Sequence, residues 1–396
     1  MQPNSRVELD PKSFQVLKRT IQNVVVPHRE RKRDAAYKTQ LPETIGVKLT
    51  NRCNLRCKHC YQWNEDGYHH DMDKQEQNMD MDVDLFRKLL EETKPSKSRL
   101  YLWGGEPLFH KDIATILELL EQDRREVTIC TNAYLVEKHL DVLCRLSDDL
   151  ELLIAIEGFE REHDLIRGKG SFGKVMQTID LLMDLRAKGM FKGKISVHSV
   201  INDSMIGRLY ELTDFFESKG IDLVMLCFPW YISHETSFDM DRDFRERFDW
   251  LSDIGDNRRS SWHAFKYHIR PSNVEPLMND LRLINARIWK SRIRYQPGLD
   301  FDEIERFVTG KSMTARCATT CLALSTRIDV TPSGKASACK FFTEFAVGNL
   351  NEQSLVDIWH SDRYDAIRAT LGKKLSPACS KCNVLYLHSY SGLMHI

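Results

Sequence analysis

From residue 44 the chain sets up a rhythm that few folds accommodate. A short apolar or β-branched run is followed by a stretch of helical periodicity, and the pattern repeats six times. The runs fall at 45–49, 99–103, 127–131, 152–156, 195–201 and 223–228. Between them apolar residues recur at three- and four-residue spacing, as in Phe86/Leu89/Leu90, Ile113/Ile116/Leu117/Leu120 and Ile179/Leu182/Met183, with Gly189 as a stop. Strands that alternate with helices imply a parallel sheet, because each helical crossover returns the chain to the same end of it. The sheet is either doubly wound or curled into a partial barrel, with helices outside. In both arrangements functional groups gather at the C-terminal ends of the strands.

The flanking segments break the rhythm. Residues 1–43 form a polar extension with one amphipathic helix around 14–26, and the charged run 28–33 reads as a solvated linker. Residues 231–316 read as helices and loops. Within them Arg258, Arg259, Lys266, Arg270, Arg282, Arg287, Lys290, Arg292 and Arg294 face only Glu275 and Asp280, a local excess of seven positive charges. Such a stretch is either a solvated helix face or a surface for an anionic substrate or acidic peptide. The last unit, 317–396, holds a hairpin at 327–335, marked by the turn Pro332-Ser333-Gly334, and a helix over 355–371.

Composition narrows the function. A chain of 396 residues holds two or three domains at about 150 residues each. Lys+Arg 57 balance Asp+Glu 57, which argues against nucleic acid or an anionic membrane as partner. There is no apolar run of about 18 residues and no signal-peptide core, so a cytoplasmic chain with no membrane span is expected. In that compartment eleven cysteines point to metal ligation or thiol chemistry rather than to disulfides. Cys130, Cys144 and Cys227 lie singly in apolar surroundings and read as small buried hydrophobes. The other eight are clustered.

Directly after the first strand come Cys53, Cys57 and Cys60, spaced C-x3-C-x2-C. Three thiolates on one loop bind three irons of a [4Fe–4S] cluster and leave the fourth iron open. A closed zinc site needs a fourth ligand, and chelation by His59 next to Cys60 is geometrically awkward. This loop resembles the signature of the radical SAM enzymes, C-x3-C-x-aromatic-C, with His59 in the aromatic place. The resemblance covers 44–230. Trp103-Gly104-Gly105-Glu106-Pro107 is similar to the family's Gly-Gly-Glu-Pro, in which glycines let backbone approach a ligand and the carboxylate accepts from the SAM ammonium. Thr131-Asn132-Ala133 resembles Thr-Asn-Gly, and an alanine there is strained if the positive-φ turn is kept. Ala155-Ile156-Glu157-Gly158 resembles Ser-x-Asp-Gly, without the hydroxyl and with a longer acidic arm towards the SAM ribose. His163-Asp164-Leu165-Ile166-Arg167-Gly168 with Ser171-Phe172 is similar to a segment of the SPASM-bearing branch.

The resemblance implies a partial (βα)6 TIM-like barrel over 44–230. It implies SAM held by His59, Gly104, Gly105, Glu106, Pro107, Thr131, Asn132, Glu157 and Arg167, the last reaching the SAM carboxylate. It also implies reductive cleavage of SAM to methionine and a 5′-deoxyadenosyl radical that takes a hydrogen from substrate carbon. The electron comes from a one-electron reductant such as flavodoxin or ferredoxin.

Cys321-x12-Gly334-x4-Cys339, followed by Cys379-x2-Cys382, looks like a SPASM or twitch subdomain. Four thiolates make a complete set for an auxiliary [4Fe–4S] cluster, although spacing alone also allows a structural four-cysteine zinc site. A full SPASM unit would continue with cysteines near 388 and 392, where this chain has His388 and Gly392. The resemblance is therefore to the single-cluster twitch (half-SPASM) form. Cys317 is a substitute ligand or a spare thiol, and the hairpin spacing favours Cys321. The auxiliary cluster would accept a second electron from the substrate, brace the C-terminus or relay electrons.

The expected activity is that of an oxidoreductase which dehydrogenates or epimerises a small polar substrate: a sugar, cyclitol or nucleotide-linked species suited to the basic stretch. The alternative is a maturase that cross-links or epimerises a ribosomal peptide; the short N-terminal extension counts against it. Tyr231, His234, His198 and Glu157 lie on or beyond strand ends as acid–base candidates without a motif. A non-catalytic iron–sulfur or zinc-binding interaction protein is the third class, distinguished by whether SAM is cleaved under dithionite.

Overall fold

The computed structural model describes residues 2–6, 11–254, 258–315 and 319–389. Its strands, in chain order, are β1 (Asn4–Ser5), β2 (Thr44–Thr50), β3 (Arg99–Gly104), β4 (Val127–Thr131), β5 (Leu150–Ala155) and β6 (Lys194–Val200). They continue with β7 (Leu223–Cys227), β8 (Ile288–Trp289), β9 (Arg292–Gln296), β10 (Arg327–Val330), β11 (Lys335–Ser337) and β12 (Ala346–Asn349). Ten of them make one sheet, in the order β12-β11-β10-β2-β3-β4-β5-β6-β7-β9. β1 and β8 pair separately in parallel. The six strands expected from the rhythm are β2 to β7, each within two residues of its expected bounds, and all five pairings between them are parallel.

Strand alternation divides two faces. Ile45, Val47 and Leu49, with Leu102, Ile129, Ile154, Ile195, Val197 and Leu226, are fully buried on the outer face. They pack in one core with helices such as Val83–Glu92, which buries Leu85, Phe86, Leu89 and Leu90 and starts where the Asp82 carboxylate accepts from Asp84 N and Leu85 N. Each such apolar side chain contributes about 2 kcal/mol. The inner face is polar: Lys48, Tyr101, Trp103, Cys130, His198 and Cys227 alternate with that apolar set. Flat, β3 and β7 would stand about 19 Å apart. Yet the Lys340 ammonium lies 4.2 Å from the Tyr101 ring centroid on β3 while its charge reaches Cys227 on β7. The sheet is curled around a polar lumen, a partial barrel.

The C-terminal unit is less separate than its sequence implies. β10 pairs in parallel with β2, Arg327 opposite Thr44 through Val330 opposite Val47, so the hairpin continues the barrel sheet. Gly46 permits this: a Cβ there would lie 1.7 Å from Asp329 Oδ1, a carboxylate that accepts two bonds from Arg327. The expected helix over 355–371 is two helices, Leu355–Trp359 and Asp362–Lys373, the second capped by Ser361. The 231–316 region supplies a further strand, β9, which extends the sheet beyond β7.

The N-terminal charged run is only partly solvated: Arg29, Lys32 and Arg33 are exposed, but the run is not a linker. It ends the helix Pro11–Glu30, and Arg31 is buried, donating to Arg368 O at 2.8 Å and Cys321 O at 3.3 Å. Lys38 pairs with Asp365 at 2.7 Å, and Trp359 Nε1 donates to Thr39 O at 2.7 Å. The extension thus straps the C-terminal unit to the barrel. No helix among the described residues is long and apolar enough to cross a membrane.

Candidate active site

The loop carrying Cys53, Cys57 and Cys60 leaves the C-terminal end of β2 and is anchored at its root. Thr50 Oγ1 donates to Asp80 Oδ1 at 2.5 Å, Arg52 Nε to the same oxygen at 3.1 Å, and Arg52 N to Thr50 Oγ1 at 3.0 Å. The end of β3 packs directly beneath. Gly105 N donates to Thr50 O and Glu106 N to Arg52 O, both at 2.9 Å. A Cβ on Gly104 would stand 2.4 Å from Thr50 O, and one on Gly105 would stand 2.0 Å from Arg52 O. Close approach of the cysteine loop's own backbone is by itself enough to require both glycines.

Glu106 is buried and ties three segments together. Its Oε1 accepts from Leu108 N at 3.1 Å and Thr131 Oγ1 at 2.7 Å, and its Oε2 accepts from Asn132 N at 2.7 Å. Burial outweighs these bonds and pushes its pKa up to about 7. Asn132 Nδ2 donates to Asn54 Oδ1 at 2.8 Å, joining the end of β4 to the cysteine loop. Ala133 keeps the left-handed turn, with φ of 68°, despite its Cβ.

Glu157, just after β5, is fully buried and gathers two of the other expected residues. Its Oε1 accepts from Arg167 Nε at 3.1 Å and lies 3.0 Å from His59 Nε2, while its Oε2 accepts from Val200 N at 2.8 Å. Burial alone would raise its pKa, but the charges of His59 and Arg167 hold the carboxylate well below the usual range. Burial acts against the Arg167 charge, and the neighbouring Cys57 and Glu157 more than restore it. The 163–172 segment serves this arrangement. His163 Nδ1 accepts from Glu157 N at 3.1 Å, and Asp164 accepts from Gly170 N, Ser171 Oγ and Phe172 N at 2.5–3.1 Å.

The seven clustered thiols that lie within the described residues suit iron–sulfur ligation by the chemistry around them. Cys53 Sγ accepts from Leu55 N at 3.4 Å, and backbone N–H groups of Gln62 and Trp63 point at Cys60. The same two-and-three-residues-on arrangement serves Cys321 (Ala323, Leu324), Cys339 (Phe341, Phe342) and Cys382 (Val384, Leu385). Such donors favour sulfur in its thiolate form, the form that binds iron. Burial pushes the bare thiols the other way, Cys53 to about 12 and Cys57 to about 11. Cys321, Cys339, Cys379 and Cys382 lie within electrostatic reach of one another. Among the described residues there is no group of three or more His, Cys, Asp or Glu side chains arranged to hold a single metal ion. Cys317 and Gly392 lie outside the described residues.

The acid–base candidates separate. His198 lies on the inner face of β6 within the field of Glu157 and His59, and burial pulls its pKa down to about 4, so the ring is neutral. Tyr231 stacks on His268 at 4.5 Å, and His234 is exposed at the start of the helix His234–Phe248, against Phe238. Two cysteines read as isolated hydrophobes are not so placed. Cys130 Sγ lies 3.5 Å from His198 Nε2, and Cys227 shares the lumen with it.

The basic stretch is also different from its sequence reading. Arg258 pairs with Glu76 at 2.6 Å, Arg259 with Asp71 at 3.1 Å, Arg270 with Asp203 at 3.1 Å and Arg282 with Glu275 at 2.9 Å. Arg287 takes Asp214 and Glu217, and Arg292 and Arg294 lie on β9 facing Glu151. Acids distant in sequence neutralise most of the excess.

Two lysines were missed. Lys48 is buried and donates to His69 Nε2 at 2.8 Å and Tyr68 OH at 3.2 Å; burial pulls its pKa down to about 7. Its place in the alternation Ile45-Gly46-Val47-Lys48-Leu49 was the available signal. Lys340, beside Cys339, had none. A cavity of about 490 Å³, lined by Lys48, Tyr68, Arg259, Ser333 and Lys335 among others, runs between residues 68–79, residues 258–261 and the C-terminal hairpin.

Comparison with known proteins places this geometry. The radical SAM superfamily profile matches residues 47–213, and the SPASM iron–sulfur cluster-binding domain matches 321–383. The chain is 23% identical, over 86% of its length and 87% of the relative's, to the tungsten-containing aldehyde ferredoxin oxidoreductase cofactor-modifying protein of Pyrococcus furiosus. It is also 23% identical to the antilisterial bacteriocin subtilosin biosynthesis protein AlbA of Bacillus subtilis, over 86% of this chain and 64% of that one. Its fold resembles Streptococcus suis SuiB, solved with precursor peptide SuiA, with a TM-score of 0.59 at 16% identity over 88% of this chain and 71% of that one. The chain belongs to the radical SAM superfamily, in the branch that carries a SPASM iron–sulfur domain.

Proposed function

We propose that this enzyme is a radical SAM oxidoreductase that modifies a peptide, using one cluster on Cys53, Cys57 and Cys60 and a single auxiliary cluster on Cys321, Cys339, Cys379 and Cys382. The observation that supports the reading is that both cysteine sets lie within electrostatic reach of charged groups around one polar lumen, Cys57 of Arg167 and Cys382 of Lys340. When bound, SAM with its reduced cluster supplies hydrogen-atom abstraction from a substrate carbon, and the auxiliary cluster supplies a site for a second electron. The chain's own residues hold and shield that chemistry. Glu106, Thr131 and Asn132 fix the loop ends above the barrel. His59, Glu157 and Arg167 form a buried charged group beside Cys57. The outer apolar core keeps water from the strands beneath them.

A peptide is favoured over a phosphorylated or nucleotide-linked molecule because the arginines that suggested an anion site are largely spent on internal acids. The similarity to AlbA and to the peptide-bound SuiB supports the same reading. A second reading, modification of a small cofactor-type molecule, is supported by the likeness to the Pyrococcus protein over most of both chains. Co-expression with each short open reading frame encoded beside the gene separates them. The peptide reading expects one of those peptides to change mass only when Cys53, Cys57 and Cys60 are intact. Unchanged peptides, with SAM cleavage stimulated instead by a small-molecule extract, would favour the second.

A further inference from the structure

One cation in the lumen is packed against aromatic rings, with Asp329, Cys130 and Cys382 only in its longer-range field. The loop after β11 carries Lys340 inward, and its ammonium lies against three rings: Tyr101 at 4.2 Å, Trp103 at 5.2 Å and Phe341 at 5.3 Å from their centroids. Among the described residues it makes no hydrogen bond or ion pair. The carboxylates around the barrel are already committed. Asp329 is held by Arg327 through two bonds, and Glu157 by Arg167 and His59. Glu106 accepts from Leu108, Thr131 and Asn132, and Glu344 accepts from Ser261.

A cation–π contact offsets part of the cost of such a site without giving the ammonium a hydrogen-bond acceptor. Beside it, Trp103 is only 8% exposed, and its indole N–H has no hydrogen-bond partner among the described residues. Buried donors of this kind are normally satisfied. Two donors without acceptors among the described residues, one of them charged, thus share one wall of the lumen.

We propose that Lys340 and the Trp103 indole form a carboxylate-recognition subsite in the lumen, which selects a substrate carrying an acidic side chain or a free carboxyl terminus next to the position that reacts. The proposal rests on the peptide reading only for what carries the carboxylate. The subsite itself stands on the two unpaired donors. It gives the enzyme a charge-assisted anchor that an amide isostere cannot use, and such an anchor discriminates by roughly tenfold or more.

The test uses the reconstituted holoenzyme with SAM bound, titrated calorimetrically. The probes are acetyl-Gly-Glu-Gly-amide and N-acetylglutamate, each against its glutamine counterpart. The expected result is a preference for the glutamate probes of about tenfold or more, abolished in Lys340→Met, which keeps the apolar stem, and reduced in Trp103→Phe. Preference for N-acetylglutamate without preference among the tripeptides keeps the subsite and overturns the peptide reading. Absence of any glutamate preference in the wild type, or a preference that survives Lys340→Met, overturns the subsite. Two other sources of negative charge have their own readouts. A KM for SAM raised in Lys340→Met by the same factor as the lost preference would assign the ammonium to the SAM carboxylate. Loss of auxiliary iron alongside the lost preference would assign it to the cluster. Either result overturns the proposal.

Discussion

Glu157 shows how a buried carboxylate is afforded by its neighbours. Its ionised form is held by Arg167, His59 and Val200 N, so replacing it with glutamine leaves the Arg167 guanidinium and the His59 ring facing a neutral amide. Glu157→Gln is expected to cost about 3–5 kcal/mol in chemical denaturation of the holoenzyme; a cost within 1 kcal/mol would mean that Arg167 and His59 find other partners. Asp164 is a milder case. Its carboxyl is held below the usual range by the N–H groups of Phe172 and Gly170 and the Ser171 hydroxyl, acting against desolvation. A depressed folded pKa contributes stability that is complete above the unfolded value near 4 and is lost as pH falls through the folded value. Asp164→Asn is therefore expected to be less stable than wild type at neutral pH and to converge with it as pH falls through the depressed folded value. Gly105 has no tolerance at all, since its neighbour at 2.0 Å is backbone. Gly105→Ala is expected to displace the cysteine loop and lose the iron bound there, while iron bound by the C-terminal set stays.

At the scale of elements, the informative junction is between β2 and β10. The barrel's first strand accepts the C-terminal hairpin only because Gly46 leaves room for the Arg327–Asp329 pair. Gly46→Val is expected to destabilise the chain by about 2–4 kcal/mol and to lower auxiliary iron more than SAM-site iron. Equal loss at both sites would show that the two cysteine sets do not depend on separate elements. The same junction marks what the sequence could and could not disclose. The strands β2 to β7 were legible because their outer faces are continuous alternations such as Ile45/Val47/Leu49, and their helices show the complementary period. β9 was not, because Arg292 and Arg294 read as part of a basic stretch, whereas the alternation sets them opposite buried Ile293 and within the field of Glu151. The union of hairpin and barrel was hidden because its determinants, Gly46 and Asp329, are far apart in sequence.

At the scale of the molecule, sequence spacing disclosed the thiols but not the charges. C-x3-C-x2-C and Cys379-x2-Cys382 are local patterns that survive folding unchanged. The neutralisation of the 258–294 arginines is not local: Asp71, Glu76, Asp203, Asp214 and Glu217 come from elements far upstream. The lumen therefore presents far less positive charge than the chain's local count implied. Two thiol sets around one lumen predict two clusters, about eight irons per chain. Substituting Cys379 and Cys382 by alanine is expected to leave about four and to spare some SAM cleavage uncoupled from substrate. About four irons in the wild type would contradict the two-cluster account. The most direct measurement is the formation of 5′-deoxyadenosine from SAM by the reconstituted chain under dithionite, beside a variant with Cys53, Cys57 and Cys60 changed to alanine. The account predicts product from the wild type and none from the variant. A wild-type chain that carries its cluster and yields no 5′-deoxyadenosine, or a variant that yields as much as the wild type, would contradict it.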